Sequence, residues 1–394
     1  LRLRNNNGYA WNHKSIDNGD IWIKGFLIIN DLVLSKDKFL DYISDLPYEK
    51  LLSLLTDADG QYIIIINKAD NLVVVEDHIR SFPVLYWTEN KKIVVSDLLT
   101  KENFKNKKID DTQRKFFLNM LFTFDNKTLF NNVFQVPAGH VLNIDKNKIT
   151  LLEYWRFHYN DEQIENMETA VARILEGYDS LFAKCVRLIG NRKVVIPLSG
   201  GYDSRLILFG LWKAGIEKNN IITFTYGTNT EDVQLSHEIA EKFGVLHYFV
   251  PYDTDLARQF YINNIESFSL YAANGISTPC IQEWYAVNKL AEENIITKDS
   301  VIVPGYGGVL PGHYMREDLI SENQNFEEII KKYLLKMILG NAPGKHFAER
   351  SKLADTILQS RYFDLSTQKK AVESFERFIY SEEQAKFIMN AVRD

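Results

Sequence analysis

The residues with the most chemistry in them lie together at Leu198-Ser199-Gly200-Gly201-Tyr202-Asp203-Ser204, between the apolar run Val194-Val195-Ile196-Pro197 and a stretch from Arg205 with apolar residues at helical spacing. A turn at the start of a helix presents unpaired backbone N–H groups and the positive end of the helix dipole, which together favour an anion such as phosphate. Paired glycines let oxygens approach the main chain without a Cβ in the way. Ser199 and Ser204 add hydroxyl donors. Asp203 would repel a phosphate unless a cation lay between them, so the pattern implies a divalent ion such as Mg²⁺. The competing reading is a tight strand-to-helix connection in which Asp203-Ser204 is only an N-cap. The segment fits neither a Gly-Lys-Ser/Thr phosphate loop nor a G-x-G-x-x-G dinucleotide turn.

The elements that must position this turn read as a doubly wound parallel sheet. Strands are expected at Val194 to Leu198, Ile221 to Thr225, His247 to Val250 and Val301 to Pro304, with helices at Arg205 to Ala214, Val233 to Phe243 and about Leu256 to Phe268 between them. Ligands of such sheets bind beyond the carboxyl ends of the strands, which puts Ser199 to Ser204, Tyr226-Gly227 and Pro304-Gly305 on one rim. The first part of the chain is different. Short β-rich runs such as Ile21 to Ile29, Tyr62 to Ile66, Leu72 to Val75 and Lys92 to Val95 alternate with turn signals, a helix is expected at Thr112 to Phe122, and Val141 to Ile144 with Ile149 to Leu152 reads as a hairpin. A polar, acidic stretch near Phe157 to Glu165 separates the halves, and a long helical period follows from Met167 to Leu188. The fold class expected is therefore α/β and multi-domain.

The turn resembles the pyrophosphate loop of the ATP pyrophosphatases, and its flanks resemble the asparagine synthetase family, which includes β-lactam synthetases and lasso-peptide cyclases. Asp59-Gly60-Gln61-Tyr62-Ile63-Ile64, Glu76-Asp77-His78-Ile79-Arg80-Ser81-Phe82-Pro83-Val84-Leu85-Tyr86, Val136-Pro137-Ala138-Gly139-His140 and Tyr154-Trp155 look like that family's glutamine amidotransferase-type domain. Thr223-Phe224-Thr225-Tyr226-Gly227, Ser277-Thr278-Pro279 and, more loosely, Val303-Pro304-Gly305-Tyr306-Gly307-Gly308 are similar to later elements. The resemblance implies an N-terminal α+β Ntn-hydrolase-like sandwich, degenerate, over residues 1–157. It implies an ATP-pyrophosphatase domain over 166–394, with truncation at either end left open. The implied chemistry is attack of a substrate carboxylate on the α-phosphate of ATP, release of pyrophosphate and capture of the acyl-adenylate by an amine. Carried over by position, Ser199, Gly200, Gly201 and Ser204 cradle pyrophosphate, Asp203 holds Mg²⁺, and Leu198, Tyr226, Pro304 and Gly305 line the nucleotide. Tyr226 reads equally as a core aromatic.

The departures from the family pattern matter as much. No Cys precedes Cys185, the family's Asn-Gly oxyanion pair corresponds to Lys24-Gly25, and its Arg-Gly-Pro-Asp stretch has no counterpart. A glutaminase of its own is therefore not expected, and the nitrogen would come from ammonia, a partner glutaminase or a substrate amine. In the distal loop Tyr306 and Val309 stand where the family has a Glu and a metal-sharing Asp. Glu231 and Asp232 are read either as compensating carboxylates or as first-turn residues of a helix. Arg205 either faces the site or decorates its helix. Lys386, in Glu383-Gln384-Ala385-Lys386-Phe387-Ile388, is the candidate for the family's catalytic lysine, against the plainer reading of a solvated helical lysine.

Composition narrows the remaining classes. The chain has 394 residues, 45% hydrophobic, and a net charge of -6, and its densest basic patch, Lys105 to Lys108, is followed at once by acids, which argues against nucleic acid as main partner. No apolar run approaches the roughly 18 residues of a membrane span. Two cysteines and eight scattered histidines give no zinc or disulfide pattern, and cytoplasmic residence is the default expectation. The reading is an ATP-dependent amide-forming enzyme acting on a small-molecule or peptide carboxylate and an amine donor, as a possible homo-oligomer or with a partner glutaminase. Its alternative is a catalytically degenerate nucleotide-binding subunit, motivated by Tyr306 and Val309. A tRNA-thiolation chemistry would call for reactive cysteines and a basic surface, which the sequence lacks.

Overall fold

The computed structural model describes residues 1–4, 9–30, 32–100, 105, 107–146, 148–158, 166–228, 230–252, 254–305, 325–338 and 347–392. It divides into two compact units: Leu1–Tyr159 with Ser267–Pro279 and Leu310–Asp394, and Asn160–Glu266 with Cys280–Val309. The chain passes from the first unit to the second near residue 160, and the C-terminal helices group with the N-terminal sheets.

The first unit is built on two antiparallel sheets. The larger pairs β1 (Asn12–Ile16), β2 (Gly19–Ile29), β4 (Asp59–Lys68), β5 (Asn71–Glu76), β9 (His140–Asp145) and β10 (Lys148–Glu153) in that order, with β3 (Leu32–Ser35) also on β2. The smaller has β6 (Leu85–Glu89) between β7 (Lys92–Ser96) and β8 (Val133–Gln135). Strand period decides the packing. Tyr62, Ile64, Val73 and Val75 face a core shared with Phe39, Leu40 and Ile43 of α1 (Lys36–Ser44) and Leu51 and Leu55 of α2 (Tyr48–Asp57). Ile63, Ile65 and Val74, on the opposite face, meet Tyr86 and Val95 of the smaller sheet and Val84 just before it. That is why the isoleucine run of β4 is apolar at every position. The helix expected at Thr112 to Phe122 is α3 (Asp111–Met120), and the hairpin is β9–β10.

The same unit holds the helices of the chain's end. Phe116 and Met120 of α3, with Phe122 and Phe124, share a core with Ile330, Leu334, Ile357, Phe375 and Phe378. From Phe326 onward the described residues are mostly helical.

The second unit carries a parallel sheet in the order β13 (Leu246–Pro251), β12 (Ile221–Gly227), β11 (Val194–Pro197), β14 (Val301–Ile302). Val194 and Ile196 pack on one face with Phe182 of α4 (Met167–Ile189), Leu208 and Leu211 of α5 (Tyr202–Lys213) and Ala240 of α6 (Glu231–Phe243). Val195, Ile222, Phe224 and Val250 pack on the other face with Ala257 of α7 (Asp255–Ala273) and Tyr285, Ala286 and Leu290 of α8 (Trp284–Glu292). Helices on both faces make this the doubly wound arrangement expected, within an α/β multi-domain chain. Two strands stop earlier than expected, for reasons of hydrogen bonding. Leu198 still donates to Phe224 O (2.8 Å), but its carbonyl is taken by Thr225 Oγ1 (2.6 Å), so the ladder ends at Pro197. Val303 donates to Val195 O (2.9 Å), and Pro304 then has no N–H to offer. Among the described residues, no helix is long and apolar enough to cross a membrane.

Candidate functional site

The order of the parallel sheet reverses between β11 and β14, which makes a crevice at the carboxyl ends of those two strands, the place where open α/β sheets take ligands. The turn 198–204 leaves β11 there, and the chain after β14 comes back to it. A Cβ built on Gly305 would stand 3.4 Å from the Ser204 amide nitrogen and 3.6 Å from Asp203 Cβ. Two segments about a hundred residues apart thus meet at the start of α5, as the rim expectation required.

Within the turn the two hydroxyls are spent on its own shape. Gly201 N–H donates to Ser199 Oγ (3.2 Å), the two Oγ atoms of Ser199 and Ser204 lie 3.1 Å apart, and Ser204 Oγ accepts from Ser199 N (3.1 Å) and reaches Ser199 O at 3.3 Å. Ser204 is only 4% exposed, so it fixes the loop from below rather than offering a hydroxyl outward. The outward donors are backbone ones: Gly201 is the N-cap of α5, and no side chain caps that helix. Asp203 is exposed on its first turn.

Gly200 N–H is the loop donor that leaves the turn for a partner. It donates to Asp232 Oδ1 at 2.9 Å, from the first turn of α6. A Cβ on Gly200 would stand 2.5 Å from that oxygen and 2.8 Å from Leu235 Cδ2, so a larger residue here would have to push those two side chains aside. The sequence flagged Asp232 as either a helix-start acid or a carboxylate of the site; the hydrogen bond to Gly200 is what it could not reveal.

The remaining expected residues fall as follows. Leu198 is buried with its backbone tied to Phe224 and Thr225. Tyr226 lies in an aromatic cluster, its ring stacked 5.2 Å from that of Tyr252 and 6.2 Å from Phe224, so the core reading of its side chain is realised while its backbone ends β12 at the rim. Arg205 packs its guanidinium 4.4 Å over the exposed Tyr202 ring and donates to Gly201 O (3.1 Å), a cation held against the loop rather than on the far side of the helix. Pro304 follows β14 directly. Tyr306 and Val309 lie outside the described residues.

Lys386 requires a correction. It belongs to the first unit, on a π-helix, Ile379–Ile388, and is 1% exposed, so it is not a solvated helical lysine. Its ammonium donates to Glu382 Oε2 (2.6 Å), Asp125 O (2.6 Å) and Thr123 O (2.9 Å), which uses every proton it has. Glu382 in turn accepts from Tyr362 OH (2.6 Å) and Asp125 N (3.1 Å). Burial lowers the Lys386 pKa, with the Glu382 carboxylate opposing the shift. All three of its donors are thus engaged within the first unit.

The motifs of the first unit are likewise absorbed by folding. The Asp77 carboxylate accepts from the backbone N–H groups of Tyr62 (2.8 Å), Ile79 (2.9 Å) and Ser81 (3.1 Å), shaping the turn after β5. Gly139 has φ +67° and a Cβ on it would stand 2.4 Å from Trp155 O. Tyr154 OH donates to Glu76 O (2.9 Å), and His78 stacks on Trp155 at 4.2 Å. Lys24 is 4% exposed with its ammonium 5.2 Å from the centre of the Phe82 ring. Ser277 accepts from Asn390 Nδ2 (2.6 Å) in this unit too.

Residues 49–155 match the family model of a glutamine amidotransferase domain, less than half of the chain. No curated protein matches it. Among solved structures, the chain is similar to glutamine phosphoribosylpyrophosphate amidotransferase from B. subtilis complexed with ADP and GMP (12% identity, 60% of this chain, 47% of that one, TM-score 0.23). It is similar also to an NH3-dependent NAD synthetase from Campylobacter jejuni subsp. jejuni (14%, 48% and 74%, TM-score 0.24). A third likeness is to a glutamine-dependent NAD+ synthetase from Acinetobacter baumannii in complex with ADP (16%, 70% and 61%, TM-score 0.23). The chain spans 47% of the length of the first of these and 61% of the third. Likenesses at this level leave activity to be argued from the chain's own residues.

Proposed function

We propose that this protein is an ATP-dependent amide-forming enzyme of the asparagine synthetase type, with a glutamine amidotransferase-like domain. The observation that carries this reading is the convergence of Gly305 on the Ser204 amide at the β11/β14 crevice, beside an α5 start that no side chain caps. Backbone donors gathered at a switch point are suited to a polyphosphate, and residues 198–204 have the composition of a pyrophosphate loop. The match of residues 49–155 to an amidotransferase domain supports the placement of the first unit.

In this reading an oxygen of the substrate carboxylate attacks the α-phosphorus of ATP, the bond from that phosphorus to the bridging oxygen breaks, and pyrophosphate leaves with the electron pair. The turn 199–204 holds the departing pyrophosphate through the uncapped N–H groups of α5, while buried Ser204 keeps the turn in shape. Leu198 and the ends of β12 and β14, with Tyr226, Pro304 and Gly305, bound the nucleotide. The nitrogen of an amine, supplied as ammonia or carried by a second substrate, then attacks the acyl carbon of the adenylate, the carbon–oxygen bond to AMP breaks, and AMP leaves as the nitrogen gives up a proton to solvent.

The residues at the turn fit Mg²⁺. The ion binds phosphate oxygens with one or two protein carboxylates and keeps its other positions for water, so it needs no all-protein cage. Asp203 provides one carboxylate and Asp232, from the first turn of α6, reaches the loop through Gly200 N–H, while no cluster of three or more His, Cys, Asp or Glu side chains occurs among the described residues. When bound, the ion would neutralise charge on the leaving pyrophosphate.

Pyrophosphate release from ATP over a panel of carboxylic acids, with wild type and Asp203→Ala, tests the proposal. Release that depends on one class of acid and is lost in the variant supports it. ATP binding without release on any acid favours the degenerate nucleotide-binding subunit instead.

A further inference from the structure

An anion-binding turn must place something against its donors when no phosphate is there, and here Asp232 takes part of that role. Its carboxylate oxygen sits 2.9 Å from Gly200 N, at hydrogen-bond distance from a glycine amide in the middle of the loop. The contact bridges two elements, and a Cβ on Gly200 would stand 2.5 Å from that oxygen, so the carboxylate lies directly against the loop. The other internal donors of the turn are satisfied by Ser199 and Ser204, which belong to it. Asp232 is the acceptor that comes from outside, and it is the one that carries a full negative charge.

We propose that Asp232 is a built-in competing anion: it occupies the Gly200 N–H where a phosphate oxygen would bind, and so makes phosphate binding at this loop conditional on a divalent cation. A phosphoanion arriving alone meets a carboxylate already on the donor and is repelled by it. With a divalent ion present, the carboxylate becomes an asset, because it can turn from the amide to the metal while phosphate takes the amide. This inference rests on the nucleotide reading above and adds to it what sets the metal dependence. Asp232 acts by holding or releasing the donor; it is a positioning residue with no bond to break.

The test is calorimetric titration of inorganic pyrophosphate, with and without Mg²⁺, into wild type, Asp232→Asn and Asp232→Ala. Asn keeps an oxygen near Gly200 and removes the charge, while Ala removes both; melting curves of each variant check that it is folded. The expected result is wild-type binding that is tight with Mg²⁺ and at least tenfold weaker without it. In both variants the metal-free affinity should rise about tenfold, and the gap between metal-bound and metal-free conditions should shrink. Folded variants whose metal-free affinity stays within twofold of wild type would overturn the inference and leave the nucleotide reading standing. Absence of pyrophosphate and ATP binding in wild type with Mg²⁺ would overturn the nucleotide reading, and this inference with it.

Discussion

Two charged regions of this molecule, the turn around Ser199–Ser204 and the cluster around Lys386, have opposite designs. In the cluster every charge is buried and matched: Lys386 and Glu382 are each 1% exposed and lie 2.6 Å apart, with backbone carbonyls and Tyr362 completing their shells. In the turn the buried polar group is an uncharged serine, while Asp203, Tyr202 and the start of α5 stand at the surface with no cap. A region whose polar groups are all spent internally specifies a fold. One that fixes its shape with neutral hydroxyls and leaves backbone donors outward is equipped for a ligand. The same division runs through the sequence motifs, since Asp77, Gly139 and Tyr154 are consumed by the first unit's turns.

The largest expected effect comes from breaking the matched region. Lys386→Ala leaves Glu382 buried without its cation and should destabilise the protein by about 3–5 kcal/mol. The change is read as a lowered midpoint in urea, and a loss under about 1 kcal/mol would mean that the pair is not as buried as described. Ser204→Ala comes next: it removes a buried hydroxyl that organises the turn, so a loss of about 1–2 kcal/mol is expected together with weakened ATP binding. Asp203→Ala sharpens the contrast, because an exposed residue should change stability by no more than about 0.5 kcal/mol. Its effect should fall instead on Mg²⁺-dependent ATP affinity.

A further effect concerns pH. Burial, with His237 nearby adding repulsion, pushes the His247 imidazole down to about 4, and its Nδ1 lies 3.0 Å from Thr223 Oγ1. A depressed base binds fewer protons folded than unfolded, so stability is full above the unfolded value near 6.5 and is lost as pH falls from about 6.5 to 4. Urea midpoints of wild type and His247→Gln should therefore converge towards pH 4. A constant difference across that window would count against the shift.

The parallel half of the fold was legible in the sequence because its strands are continuous apolar runs and its turn has a recognisable order of residue types. Both signals are local. Helices α1 and α2 carry a period of their own, with Phe39 and Ile43 four apart and Leu51 and Leu55 likewise, but they are short and set among β-rich runs, and no element is expected there from the sequence. The short strands β6 and β8 are defined by pairing with each other, which no local pattern announces. Lys386 failed for the same reason. A lysine in a polar-looking helix reads as solvated unless one knows that Thr123 and Asp125, some 260 residues earlier, present their carbonyls to it. At the site, residue types could nominate Asp203 and Asp232, but only the fold joins Asp232 to Gly200 and Gly305 to Ser204.

The central claim is that the turn 199–204 receives the phosphates of ATP with Asp203 as a carboxylate for Mg²⁺. Calorimetric titration of ATP with Mg²⁺ into wild type and Asp203→Ala, with melting curves of both, tests it most directly. The account predicts saturable one-site binding by wild type and at least a tenfold loss in a variant that melts at the same temperature. Equal affinity of the two proteins, or no binding by either, would contradict it.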